Sequence, residues 1–322
     1  MSVSLSTPLE TTHLSKRYGR GTWALQDCTL ALPAGRVAAL VGPNGAGKTT
    51  LLHLSAGLLE PTAGNVRVFG LSPLEQPKAT LPRLGLLAQD HPLYLGFSVA
   101  DLLTLGRKLN PRWDDALGRA RMHKLGIPLN RPAGKLSGGQ QAQVALVLAL
   151  AKRPELLLLD EPLASLDPLA RREFLRTLMD AVAESGMTVL LSSHIIGDLE
   201  RVCDHLIILA ASHVQLMGDI QEIVRTHKRL IGPRQDASAV ASVHTIIEAS
   251  HTDRQTTLLV RVNGHLFDPS WEVQDVSLED IVLGYLSLGQ QVTGSMQAPP
   301  ATPSTREPQR QDQGQQGMEV VQ

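Results

Sequence analysis

The 322-residue sequence predicts an α/β fold: a parallel sheet around a phosphate-binding loop, with an antiparallel β subdomain, a helical subdomain and a small C-terminal α+β extension. Three stretches carry that prediction. An apolar run, Val37 to Val41, leads into Gly42-Pro43-Asn44-Gly45-Ala46-Gly47-Lys48-Thr49-Thr50, and a helix-like run from Thr49 to Leu59 follows. Leu136-Ser137-Gly138-Gly139-Gln140 opens an apolar helical run, Val144 to Ala151, which ends before Pro154. A short buried strand, Leu156 to Leu159, then delivers two acids, Asp160 and Glu161, and the carboxyl end of a buried parallel strand is where an α/β sheet presents chemistry.

The first stretch matches G-x-x-x-x-G-K-[ST] at every fixed position and in the strand–loop–helix context that pattern needs. Its glycines let successive backbone N–H groups turn inward around phosphate oxygens. The helix that starts there adds its positive dipole end. Lys48 supplies a point charge and Thr49 a hydroxyl for Mg²⁺. Taken alone the other two stretches are ambiguous. Ser137 with Gln140 is also a capping box, and an acid pair after a strand can simply begin a helix.

Together, and in this order, the three stretches resemble the nucleotide-binding subunit of an ABC (ATP-binding cassette) transporter, over about Leu14 to Ala210. The resemblance implies a P-loop NTPase core that binds ATP and Mg²⁺ and hydrolyses ATP. Lys48 and the loop amides of residues 42–50 would hold the phosphates. Thr49, Gln89 and Asp160 would serve the metal, Asp160 through water. Glu161 would be the general base, with Gln89 and the switch histidine His194 completing the contacts to water and γ-phosphate. Tyr18, in Lys16-Arg17-Tyr18-Gly19, resembles the adenine-stacking residue. Ser137, Gly138, Gly139 and Gln140 would act in trans, facing the γ-phosphate held by a second ATPase subunit in a homodimer or heterodimer. Ala164-Ser165-Leu166-Asp167 resembles the D-loop. Leu163 stands where the family more often has Thr, and Ser165 where it has Gly.

In chain order, residues 1 to 10 read as a flexible start, and residues 11–225 as the ATPase domain. Short alternating runs from Thr11 to Leu32 read as antiparallel strands. Glu60 to Gly64 is a turn, and Asn65 to Phe69 a strand returning to the antiparallel layer. Leu84 to Ala88 is a short strand with Gln89 at its end. Residues 91 to about 135 read as the helical subdomain, with a capping box at Ser98 and Asp101, a break at Asn110-Pro111-Arg112-Trp113 and a second helix from Asp114 to Leu125. By resemblance, this surface docks a helix of a membrane permease, and the Asn-Pro-x-Trp-Asp stretch resembles ATPase subunits of bacterial exporters. Thr188 to Leu191 reads as a buried strand followed by Ser192-Ser193-His194, and Leu206 to Leu209 as the final core strand. Residues 235 to 290 form an add-on, with alternation over Leu258 to Val262, a turn at Gly264 and a helix near Leu278. Ser277 and Asp280 cap that helix, and Val276 with Ile281 staple it. From Ser295 to Gln322 the composition reads as a disordered tail.

Composition narrows the classes further. Two cysteines, Cys28 and Cys203, fit a reducing compartment and exclude a disulfide framework. A net charge of −1 gives no electrostatic footprint for nucleic acid, and none is expected as a partner. No signal peptide is visible, and no apolar run approaches the roughly 20 residues that span a bilayer. The expected place is therefore the cytoplasmic face of the cell membrane, held there by the permease. The alternative is a soluble ATPase of the same class acting on the ribosome or on DNA. A single phosphate loop opposes the first. The 89-residue gap between Lys48 and Ser137, too short for a long coiled coil, opposes the second.

Overall fold

The computed structural model describes residues 7–19, 21–234, 237–264 and 270–296. β1 (Leu9–Tyr18) and β2 (Thr22–Leu32) pair antiparallel. β3 (Val37–Val41) is buried at all its positions and runs into α1 (Lys48–Ser55), a shorter helix than the apolar pattern to Leu59 implies. β4 (Ala63–Val68) returns to the free edge of β1, completing a three-stranded sheet in the order β2-β1-β4. The single turn α2 (Pro77–Thr80) leads to β5 (Leu84–Leu87).

The helical subdomain follows as α3 (Val99–Leu109) and α4 (Asp115–Lys124), capped by Ser98 and Asp114, and the long α5 (Gly138–Ala151). The chain then alternates β6 (Leu156–Leu159), α6 (Pro168–Ser185), β7 (Thr188–Ser193), α7 (Ile196–Leu199) and β8 (His205–Ala210). β5, β6, β7, β3 and β8 lie side by side and parallel, in that order. Such a sheet needs cover on both faces, and the side-chain alternation supplies it. Ala39, Val41, Leu157, Leu159, Val189 and Leu191 join the cluster beneath α5 and α6. Ala38, Leu40, Leu156, Leu158 and Leu190 join the cluster beneath α1 and the antiparallel sheet.

Four expectations need correction. The start is not loose through residue 10, because Leu9 is fully buried and begins β1. β8 is not the last strand of the main sheet, since β9 (His213–Asp219) pairs antiparallel along its outer edge. Its half-buried, polar-rich pattern suits an edge strand and hides it from a hydrophobicity reading. Ser192 and Ser193 lie inside β7 rather than after it. The extension does not begin at 235: α8 (Ile220–Thr226) passes directly into β10 (His227–Pro233).

β10 is an inner strand of the antiparallel sheet β11-β12-β10-β13, where β11 is Thr245–His251, β12 is Gln255–Arg261 and β13 is Glu272–Asp275. The short α9 (Ser238–Val243) precedes β11, and α10 (Leu278–Met296) closes the unit. The Ser277–Asp280 capping box forms, with Asp280 N donating to Ser277 Oγ at 3.1 Å and Ser277 N donating to Asp280 Oδ2 at 3.2 Å. Residues 297–322 of the predicted tail lie outside the described residues. The extension is not a separate bead on the chain. Ile247, Leu259, Ile281, Val282 and Tyr285 share one apolar cluster with Leu206, Ile208 and Leu216 of the main sheet.

That shared core buries His227 completely, with Nδ1 2.7 Å from the Ile223 carbonyl and Nε2 3.1 Å from the Tyr285 hydroxyl. Burial holds His227, His91 and His205 below the ordinary imidazole value of 6.5. The unfolded chain therefore takes up protons at these positions at a higher pH than the folded one, and stability is lost as pH falls through about 6.5. Carboxylates held low by their partners, such as Asp114 and Glu155, act only further down the scale. The melting temperature should fall steadily between pH 7 and pH 5, and His227→Asn should flatten that slope. A melting temperature independent of pH across this window would show that these imidazoles are not buried neutral.

Candidate nucleotide site

The parallel strands β5, β6, β7 and β3 bring their carboxyl ends to one side of the sheet, so Gln89, Asp160-Glu161, His194 and the phosphate loop come from four neighbouring strand ends. They meet at a cleft of about 530 Å³ whose walls include Asn44, Gly45, Gly47, Lys48, Thr49, Thr50, Gln89, Glu161 and His194. Two loop glycines are required by close approach. A Cβ on Gly42 would sit 2.2 Å from the Leu209 carbonyl oxygen. Gly47 has φ 105°, and a Cβ there would lie 2.2 Å from the Ala24 carbonyl oxygen. Pro43 and Ala46 shape the same turn, with Ala46 N donating to the Pro43 carbonyl at 3.1 Å.

Lys48 is buried, and its Nζ donates to the carbonyls of Gly42 at 2.7 Å and Pro43 at 3.2 Å. The same Nζ stands 3.2 Å from Glu161 Oε1, a charge contact rather than a directed hydrogen bond, since Oε1 has no hydrogen-bond partner. Glu161 Oε2 lies 2.8 Å from His194 Nδ1. Glu161 itself adopts φ 44°, a left-handed backbone that turns its side chain out of the strand line.

Ser192 holds that arrangement from behind. Its Oγ accepts from Glu161 N at 2.7 Å and donates to Asp160 Oδ1 at 2.8 Å. Asp160 is 1% exposed and sits one layer behind the cleft wall, while Thr49 and Gln89 are on the wall. A hydroxyl, an amide oxygen and a recessed carboxylate are the hard oxygens Mg²⁺ takes, alongside water and ligand phosphate oxygens. The donor set therefore fits that ion.

Tyr18 also reaches the cleft, half-exposed, with its hydroxyl 3.4 Å from Thr50 Oγ1 and the Lys16 Nζ 5.6 Å from its ring centroid. The signature residues do not reach it. Ser137 caps α5, accepting from Gln140 N at 3.3 Å, while Ser137 N donates to Gln140 Oε1 at 3.2 Å. Ser137 and Gly138 are exposed, and Gly139 packs so near α6 that a Cβ would come within 2.9 Å of Ala170 Cβ. Of the two departures beside the acids, Leu163 has a packing reason, since it is buried in the main core with Leu166, while exposed Ser165 has none; Asp167 caps α6 through Leu169 N and Ala170 N.

Sequence reasoning missed Ser192 and the wall formed by Thr22, Trp23 and Ala24. Ser192 carries a faint signal, a polar residue at the end of an otherwise apolar buried strand. Thr22 to Ala24 carry none, since only the folding of β2 over the loop brings them there.

Compared with known proteins, residues 25–164 match the model of the ABC transporter family. The chain is 35% identical over 266 residues to the aliphatic sulfonates import ATP-binding protein SsuB of Shigella flexneri serotype 5b (strain 8401), covering 81% of this chain and 98% of SsuB. The chain belongs to the ABC transporter family. It is an ATP-binding subunit of that family, and an ATPase. It is also 34% identical to the sulfate/thiosulfate import ATP-binding protein CysA of Yersinia pseudotuberculosis serotype I (strain IP32953), over 67% of this chain but only 62% of CysA. The structure of CbiO1 from Clostridium perfringens, part of the cbiONQ transporter complex, superimposes with a TM-score of 0.59 at 27% identity, covering 68% of this chain and 94% of CbiO1.

These relatives do not support the exporter flavour expected from Asn-Pro-x-Trp-Asp, since SsuB and CysA are import proteins by name. The stretch has a local explanation. Trp113 packs on α3 where a Cβ on Gly106 would come within 2.3 Å of the indole, and Asp114 caps α4 through Leu117 N at 2.8 Å and pairs with Arg153 at 2.6 Å.

Ser192→Ala removes the one group bonded to both Asp160 and the Glu161 backbone, leaving buried polar atoms unpaired at about 1–3 kcal/mol. Urea unfolding should show that loss. ATP turnover should fall well beyond any loss of ATP binding, because the acids are displaced while the phosphate loop is intact. Native turnover in the variant would exclude a positioning role.

Proposed function

We propose that this chain binds ATP with Mg²⁺, hydrolyses it by in-line attack of water on the γ-phosphate, and couples that cycle to substrate movement through a separate membrane permease. The observation that carries the chemistry is the Glu161 carboxylate, held between Lys48 and His194 at the mouth of the phosphate loop. Phosphoryl transfer needs little covalent work from a protein, so positioning and charge stabilisation supply the rate.

Lys48 and the amides of residues 42–50 take the β- and γ-phosphates, and Tyr18 stacks on the base. Thr49, Gln89 and Asp160 would hold Mg²⁺, which would neutralise phosphate charge, with Asp160 acting through water. Phosphate oxygens offered to Lys48 compete with Glu161 for the same ammonium. Once Lys48 turns to phosphate, Glu161 Oε1 is free to accept a proton from the attacking water. His194 anchors the other carboxylate oxygen and contacts the γ-phosphate.

The exposed amino end of α5, with Ser137, Gly138, Gly139 and Gln140 outside this chain's own cleft, supports a head-to-tail pair of subunits. There each signature would cap the γ-phosphate of the other subunit, since a helix amino terminus favours an anion. The Ser137 hydroxyl, which accepts from Gln140 N, would then donate its own proton to phosphate. Hydrolysis removes the bridge and the pair opens, which gives a two-state element for a coupled partner.

An apolar groove of about 440 Å³ between β5, α3 and α5, beside Gln89, supports the permease as that partner. Tyr94 and Leu109 are 65% and 70% exposed at its rim, a patch that suits a docked helix. Among the described residues no helix is long and apolar enough to cross a membrane, and this reading assigns the path to the permease. The chain would then sit at the cytoplasmic face of the membrane.

Glu161→Gln keeps the side-chain shape and removes the base. It should bind ATP, lose turnover by roughly three orders of magnitude or more, and accumulate as an ATP-bound dimer in size-exclusion chromatography. Hydrolysis at the native rate would sink the assignment of the base. A monomer with ATP bound would sink the sandwich while leaving the base assignment standing.

A further inference from the structure

We infer that a basic groove along α6 docks an acidic amphipathic helix of a protein partner, at a place separate from both the nucleotide cleft and the apolar groove beside Gln89. The helix pattern builds it. Positions 168, 171, 172, 175, 176 and 179 of α6 recur at helical spacing and share one face. Phe174, Leu178 and Ala181 lie on the adjoining core face, and Leu175, at the boundary, is buried with them. The first face meets the segment 198–202 across a groove of about 490 Å³.

The floor of the groove is apolar, formed by Leu175 and Met179 with Val202 opposite. Its rim is cationic. Arg172, Arg176 and Arg201 are exposed, and among the described residues no side-chain hydrogen bond or close ion pair ties up their guanidinium groups, although exposed Glu173 and Glu200 adjoin them in sequence and the Arg176 charge adds to that of Lys124 in holding the Asp180 carboxyl low. Asp198 is the one acid on the wall, and it stands 3.8 Å from Arg171. Asp180, the nearest acid towards the end of α6, is already taken by Lys124 at 2.8 Å. Like charges gathered in one groove repel, and their field favours a ligand of opposite sign.

The shape of the groove selects among anions. Arg172 and Arg176 are one helical turn apart, a rise of about 6 Å, which matches two carboxylates one turn apart on a second helix. The apolar floor between them calls for an apolar side chain on the same face of that helix. A small anion would meet the arginines and leave the floor wet. A flat bilayer does not reach a concave floor. Nucleic acid would find no aromatic side chain on these walls to stack on.

The groove is tied to the acids of the nucleotide site. Arg171 Nε donates to the Leu163 carbonyl at 3.1 Å, just beyond Glu161-Pro162. Carboxylates entering the groove compete with Asp198 and Leu163 for Arg171, so occupancy is felt at the turn that follows the catalytic carboxylate.

The test uses the full chain and a fluorescein-labelled helical peptide with glutamates one turn apart flanking leucine on one face, beside a scrambled peptide of the same composition. Fluorescence anisotropy should show the patterned peptide binding about tenfold or more tighter than the scrambled one, and more weakly as salt rises. The double variant Arg172→Glu/Arg176→Glu should lose about tenfold or more of that affinity, with unchanged melting and unchanged basal ATP turnover. A peptide with lysine in place of glutamate should then bind the charge-reversed protein. Equal binding of both glutamate peptides, no binding, or native affinity in the variant would overturn the proposal. Tighter binding of phosphatidylglycerol vesicles or duplex DNA than of the patterned peptide, lost in the variant, would overturn it in favour of a lipid or nucleic-acid surface.

Discussion

Two-sided burial of the parallel sheet is the constraint from which the rest of this molecule follows. β3, β6, β7 and β8 have no solvent face, so their side chains alternate between two apolar clusters and cannot carry chemistry along their length. Polar function is driven to the strand ends. Gly42, Gln89, Asp160, Glu161 and His194 all stand at or just past a carboxyl end for that reason. Ser192 lies inside the sheet, and it is tolerated there because its hydroxyl is fully used between Asp160 and the Glu161 backbone.

The Lys48–Glu161 contact works within that frame as a stand-in. A buried ammonium without partners is costly, and here two loop carbonyls and one carboxylate satisfy it. The same three groups would hinder phosphate binding if they were better partners than phosphate. Glu161 is a weak competitor because Oε1 makes a charge contact without hydrogen-bond geometry. On the proposed reading, a polyanion at Lys48 would replace this charge contact and leave Glu161 Oε1 available to water.

How much of this could be read from the chain depended on how local the determinant was. The phosphate loop was legible because its motif is a short contiguous stretch and Gly47 needs a left-handed φ that glycine adopts freely, even though the space denied to a Cβ there is filled by Ala24 of β2. The capping boxes at Ser98, Ser137 and Ser277 were legible because each is local, spanning four residues. β9 and β10 were not. β9 is an edge strand with one apolar face half-covered, and β10 begins His227-Lys228-Arg229, where the long side chains of a half-buried strand reach Asp275 and Asp280. Ser192 and the Thr22–Ala24 wall were illegible because their partners lie 31 residues or more away in the chain, or in another sheet. The exporter expectation failed where a motif was assigned to transport although local packing of Trp113 and capping by Asp114 account for it.

The shared core alters what the extension can be. Had it been joined by a linker, it could move independently of nucleotide state. Instead α8 enters β10 without a break, and α10 lies against β8 closely enough that a Cβ on Gly289 would come within 2.9 Å of Ala210 Cβ. A Cβ on Gly284 would meet Leu259 at 2.4 Å, so the helix is equally close to its own sheet. Glycine at both positions lets one helix pack between two sheets, and side chains there would push them apart. The extension is thus packed onto β8, the neighbour of the strand β3 that carries the phosphate loop, so side-chain contacts rather than a linker connect the two.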